Sequence, residues 1–162
     1  MAGLPHNAYS RKSVFLQEGV SKISVLEIAS IVLFAAVGII CLFMAYATMF
    51  AGRYLPFHEE GAGMKWEEHS PNLQATILTL VNLSGLGFLI VGLMLIVLPI
   101  LNRYDHSLVL AVSIPVLALV FCAGLGYFNF QLHKKTKADT PWQGSIAAMA
   151  LISLALVLSL LK

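Results

Sequence analysis

Residues 73–101 read LQATILTLVNLSGLGFLIVGLMLIVLPIL, residues 102–107 read NRYDHS, and residues 108–130 read LVLAVSIPVLALVFCAGLGYFNF. Neither flanking run holds an Asp, Glu, Lys or Arg. A bilayer core is crossed by about 20 consecutive apolar residues in a helix, so each run is a full span. The six residues between them leave room only for a tight return, which makes the two spans antiparallel neighbours.

Working outward, the same pattern recurs on both sides, in Val25–Phe50 and in Gly144–Leu161. The single acid in either run is Glu27, in the first turn of its helix, within reach of the headgroup layer. The chain is therefore expected to be all-α, an integral membrane four-helix bundle running up-down-up-down. The spans fall at about 25–50, 73–101, 108–131 and 144–161, in one transmembrane domain over residues 1–162. Composition agrees: 59% of residues are hydrophobic and 11% charged, against roughly 25% charged in soluble domains. A formal charge of +2, with no basic run, points to no nucleic acid and no polybasic lipid anchor. The bilayer is the expected partner, with other integral membrane proteins or a second copy of the chain.

Local signals set the helix ends. Leu16, Val20 and Ile23 stand at helical spacing and suit a short interfacial helix before the first span, with a solvated tail as the alternative. The first run is longer than the 7 to 15 residues of a signal-peptide core, so it reads as a retained helix. Pro56 forbids simple continuation of that helix. Ser70-Pro71 reads as an N-cap followed by proline at the first helical position. Pro115 is expected to bend the third helix. Thr140-Pro141-Trp142-Gln143 has the form of a capping box opening the fourth.

Lysine and arginine do not orient the bundle. Arg11, Lys12, Lys22, Arg103 and Lys162 fall on one side, and Arg53, Lys65, Lys134, Lys135 and Lys137 on the other. The positive-inside rule cannot choose between five and five.

The connector over residues 53–70 is the most polar stretch, with His58-Glu59-Glu60 near one end and Glu67-Glu68-His69 near the other. If the two arms fold toward each other, His58, Glu59, Glu68 and His69 converge, with His133 emerging from the third helix on the same side. Imidazole with carboxylate suits Zn, Fe or Mn. The spacing matches no metal motif, however, so a solvated loop is the preferred reading and no cofactor is expected. Gly61-Ala62-Gly63 offers the turn between the arms, while Phe57 and Trp66 suit a connector lying in the interface.

Within the spans, Asn82, Gly85, Gly92, Gly124, Gly144 and Ala148 are expected to pack helix on helix, the Asn by hydrogen bonding and the small residues by close approach. Cys41 and Cys122 stand at similar depth as packing residues, without the Cys-x-x-Cys of quinone-coupled disulfide enzymes. No span has a mid-membrane His, Asp, Glu, Lys or Arg. That disfavours a bis-His haem, a proton relay, an ion pathway and a voltage sensor.

The segment from Tyr54-Leu55-Pro56-Phe57-His58 through Trp66, Pro71 and Gln74 to Gly85-Leu86-Gly87 resembles a pattern of small four-span bacterial membrane proteins. Size and layout are loosely similar to the DoxX-like membrane proteins. The resemblance implies the four-helix fold and a bacterial inner-membrane location, and it brings no activity or catalytic residue. The expected role is a non-catalytic membrane subunit or assembly factor of a larger complex, not an enzyme. The alternative is a membrane-embedded oxidoreductase or a quinone- or lipid-handling protein with a His/Glu site under the 53–70 connector.

Overall fold

The computed structural model describes residues 24–105 and 107–161, so the expected interfacial helix over residues 1–24 lies almost wholly outside the described residues. Four long helices are present: α1 (Val25–Met49), α3 (Pro71–Asp105), α4 (Leu108–Thr136) and α5 (Trp142–Leu160). A short α2 (Pro56–Ala62) and a 3₁₀ turn (Trp66–Glu68) occupy the connector. All four long helices are long and apolar enough to cross a bilayer, and the protein is a multi-pass membrane protein.

Capping chemistry explains most of the ends. Ser24 accepts from the Leu26 N–H at 3.3 Å and opens α1; Ser70 accepts from the Leu73 N–H at 3.4 Å and opens α3 at Pro71. Ser107 does the same for α4 through the Leu110 N–H. The helices outrun their apolar cores: α3 continues to Asp105 and α4 to Thr136, where Lys137 takes the left-handed conformation and ends it. Both prolines inside spans, Pro99 in α3 and Pro115 in α4, are carried within one continuous helix. Pro99 has no counterpart among the sequence expectations.

The fourth helix starts differently from its expected capping box. α5 opens at Trp142, with Pro141 before it and no side-chain cap. The Thr140 hydroxyl turns inward and donates to the Asn129 carbonyl at 2.9 Å, leaving Thr140 buried. The hydroxyl therefore ties the α4–α5 link to α4 instead of capping the first turn of α5.

Each long helix packs on the next in the chain, and α1 also packs on α5, so the four close into a ring. The order is antiparallel at every step. Gly85 of α3 faces Thr48 and Met49 of α1, whereas Gly92 faces Gly38 and Leu42. The core draws on all four: Phe34, Val37 and Cys41 from α1, Leu95 from α3, Ala118 and Cys122 from α4, Ile152 and Ala155 from α5. Outside, Phe43, Phe128 and many aliphatic side chains are exposed, as an apolar solvent permits. Lipid supplies no hydrophobic drive between helices, so close fit has to hold them together. That fit is tightest between α1 and α3, where a Cβ on Gly38 would lie 2.9 Å from the Gly92 carbonyl oxygen and one on Gly85 would lie 2.6 Å from Met49 Cγ.

The expected packing residues divide accordingly. Gly85 and Gly92 are at close approaches, and Ala148 packs against the core. Gly124 and Gly144 have nothing within 4 Å of where a Cβ would be. Asn82 is exposed on the outer face of α3 and makes no hydrogen bond within the described residues. Uniformly apolar helices carry no period that tells the inner face from the outer, and these three lie away from the close contacts inside the bundle.

Candidate functional site

The connector is a folded cover, tied down at three points. Tyr54 is buried, donates its hydroxyl proton to the Met64 carbonyl, and meets Trp66 edge-on at 4.9 Å between ring centroids. Its oxygen also lies 3.3 Å from His69 Nε2. Because the phenol has one proton and spends it on Met64, the His69 Nε2–H must donate to it. Gln74 of α3 donates to the carbonyls of both Trp66 and His69, at 2.9 and 3.1 Å. Finally, Glu60 Oε2 accepts from the Asp139 N–H at 3.0 Å, and Gly61 lets α2 settle against Leu132 of α4. Burial, then the carboxylates of Glu59, Glu67 and Glu68, push the Tyr54 phenol above its ordinary 10.

Helix formation in the connector separates its imidazoles from its carboxylates. Pro56 takes the first position of α2 instead of only ending α1, and Gly63, in the left-handed conformation, terminates it. One side of the cover lines a cavity of about 400 Å³ that includes His58, His69, Tyr54, Thr48 and Ser84. Glu59, Glu60 and Glu68 line a shallow hollow on the other side, with Lys65. His133 lies apart from both: its Nδ1 is 2.7 Å from the Ala138 carbonyl, so that nitrogen carries the proton and the ring is held in the α4–α5 link.

This corrects the expected convergence of His58, Glu59, Glu68, His69 and His133. Among the described residues, no group of three or more His, Cys, Asp or Glu is placed to hold a metal ion. Two imidazoles remain on one cavity, without carboxylates beside them. His58 Nδ1 is buried and has no hydrogen-bond partner among the described residues, and the ring lies against Phe57 at a tilt of 47°, with centroids 4.1 Å apart. Burial pulls its pKa below the ordinary 6.5, so His58 is neutral at pH 7 and can donate or accept.

The cavity continues inward. A second cavity of about 290 Å³, lined from all four long helices, holds Cys41 and Cys122 in its wall. The two cavities share Met44, Phe88, Leu125, Asn129 and Pro141. Apart from Asn129, these common walls are apolar. Sequence reading found His58 and His69 but missed Thr48, Phe88 and Leu125, which carry no signal apart from the rest of their apolar spans.

No family model, curated protein or solved structure matches this chain.

Proposed function

We propose that this is a lipid-handling membrane protein that holds a neutral amphipathic molecule, its polar end under the connector and its apolar part along the shared wall of the two cavities. The observation that carries this reading is the buried, unpartnered Nδ1 of His58 in a 400 Å³ cavity with no charged residue in its lining. Small-molecule sites usually measure about 300–1,000 Å³ and combine apolar walls with a few placed polar groups. A phosphate headgroup would call for Arg or Lys. The neutral His58 imidazole, a phenol and hydroxyls suit a carbonyl or hydroxyl headgroup, the chemistry shared by isoprenoid quinones and uncharged acyl lipids. The bacterial inner membrane as the compartment rests on the resemblance of the connector alone.

The test is extraction and mass spectrometry of what remains bound after purification in mild detergent. One neutral lipid or quinone per chain is the expected result, reduced in a Leu125→Trp variant that fills the shared wall. Recovery only of bulk phospholipid, in the same mixture for both proteins, would sink this reading.

A second reading, a subunit of a larger membrane complex, is favoured by Asn82. It sits eleven positions into α3, about 16 Å along the axis and near mid-membrane. An exposed amide at that depth gains from a hydrogen bond to another helix, worth roughly 0.6–2 kcal/mol. If this reading holds, Asn82→Leu weakens co-purification of a partner or dimer while the cavity ligand stays bound.

A further inference from the structure

On α3, Leu80, Ser84 and Gly87 share one helix face, at spacings of four and three. At Gly87 that face meets α4, where a Cβ would lie 3.1 Å from the Phe121 ring. Among the described residues the face is open one and two turns nearer the connector, where Ser84 is exposed and Leu80 is 59% exposed. The α4 side matches. Phe121 meets Phe88 edge-on at 5.4 Å between ring centroids, whereas Phe128, two turns further along the same face, is 72% exposed. Gly124, between them, has nothing within 4 Å of where a Cβ would be. The neighbouring seams are shut at this level: Gly85 of α3 lies against Thr48 and Met49 of α1, and Gly126 of α4 against Ser145 of α5. So α3 and α4 part from the Phe88–Phe121 pair toward the connector and leave a slot.

The slot leads into the cavity beneath the connector. Leu80 and Ser84 on one side, and Leu125 and Asn129 on the other, all line that cavity. A wall residue that is also exposed stands at the mouth of its cavity, so this cavity opens sideways. Phe88 and Phe121 form the floor of the opening, and α2 roofs it where Gly61 settles on Leu132 of α4. Leu80 and Ser84 lie about 14 and 20 Å along α3 from Pro71. The mouth therefore runs from mid-membrane toward the connector, against lipid tails and not water. On the water side the connector covers the same cavity, pinned by Tyr54 and Gln74.

We propose that the neutral amphipathic molecule of the lipid-handling reading, on which this inference rests, enters and leaves through this slot, from the leaflet on the connector side, while the connector stays closed. Its orientation in the cavity, polar end toward the connector and apolar part toward mid-membrane, is the one it already has in that leaflet. It moves sideways without turning over. A plug at the mouth slows entry and exit alike, so it changes the rate of exchange and leaves the occupancy at equilibrium as it was.

The test is the rate at which the purified full chain loses the neutral lipid it carries. The protein is immobilised and washed in mild detergent, and the lipid left on it at intervals is measured by mass spectrometry. Gly124→Trp, which fills the open space at the lip without entering the cavity lining, should start with the same lipid per chain and lose it about tenfold more slowly. Phe128→Ala removes an exposed side chain from the same lip and should speed the loss by about threefold, which keeps the test decisive even if Gly124→Trp fails to fold. Ala123→Trp, exposed on another face of α4, should match the wild type. Glu60→Ala, which frees the connector from the Asp139 N–H, should also leave the rate as it is. Neutral lipid present but lost equally fast from all the variants would overturn the slot and leave the lipid-handling reading standing. Faster loss in Glu60→Ala, with no effect of Gly124→Trp or Phe128→Ala, would route the lipid under the connector and overturn it too. Wild-type protein without neutral lipid would sink that reading itself, and the slot with it.

Discussion

Gly38 and Gly92 meet backbone to backbone: a Cβ added to either would lie 2.9 Å from the carbonyl oxygen of the other. A carbonyl cannot rotate aside as a side chain can, so the helices themselves would have to separate. Gly38→Ala or Gly92→Ala should therefore destabilise the bundle by about 1–3 kcal/mol, the usual cost of overpacking. Gly124→Ala and Gly144→Ala, with open space at the same position, should stay within about 0.5 kcal/mol of the parent protein. Denaturation of the four variants in one detergent separates the two classes.

The clamp around Tyr54 gives a second expectation. Tyr54→Phe keeps the ring against Trp66 but removes the hydroxyl that bonds Met64 and receives His69. The connector should then open locally while the spans stay folded, because local openings follow the few bonds that hold a segment. Hydrogen exchange should be faster over residues 64–69 and unchanged in α4 and α5. Equal exchange in both proteins would show that Gln74 and the Glu60–Asp139 bond hold the cover without the Tyr54 hydroxyl.

How much of this was legible in the sequence follows from where charge and apolarity leave no choice. Charge-free runs such as Leu73–Leu101 can only be spans, and Ser70-Pro71 marks a helix start by its own chemistry. The inner face of each span was not legible. Lipid outside and protein inside are equally apolar, so nothing in the sequence singles out Gly38 or tells which way Asn82 faces. The sequence brings His58 and His69 together only along with Glu59 and Glu68, their neighbours in the chain. The seven-residue helix from Pro56 to Ala62 turns adjacent side chains about 100° apart, and a loop reading cannot anticipate that.

The start of α5 distinguishes capping from interhelical bonding. A capping box would make Gln143 a partner of Thr140, but the Thr140 hydroxyl donates to Asn129 instead, and Gln143 is exposed. Gln143→Ala should leave stability within about 0.5 kcal/mol of the parent. Thr140→Val removes a buried donor from a carbonyl and should cost about 1–3 kcal/mol. A comparable loss in both variants would restore the capping box.

His58 should make the protein sensitive to acid in a defined direction. Burial lowers its folded pKa below the ordinary 6.5, so between those two values the unfolded chain binds more protons than the folded one. Stability then rises with pH across that window. The contribution is complete above about pH 6.5, falls as pH drops toward the folded pKa, and levels off below it. His58→Gln, which does not titrate, should flatten this part of the melting profile between pH 5 and 7. A ligand that needs the neutral imidazole should be lost over the same range, and the lipid recovered per chain at pH 5 and pH 8 measures that directly. If the wild-type and His58→Gln profiles run parallel, His58 is already solvated in the folded protein, and the cavity beneath the connector lacks the polar anchor on which the proposed ligand depends.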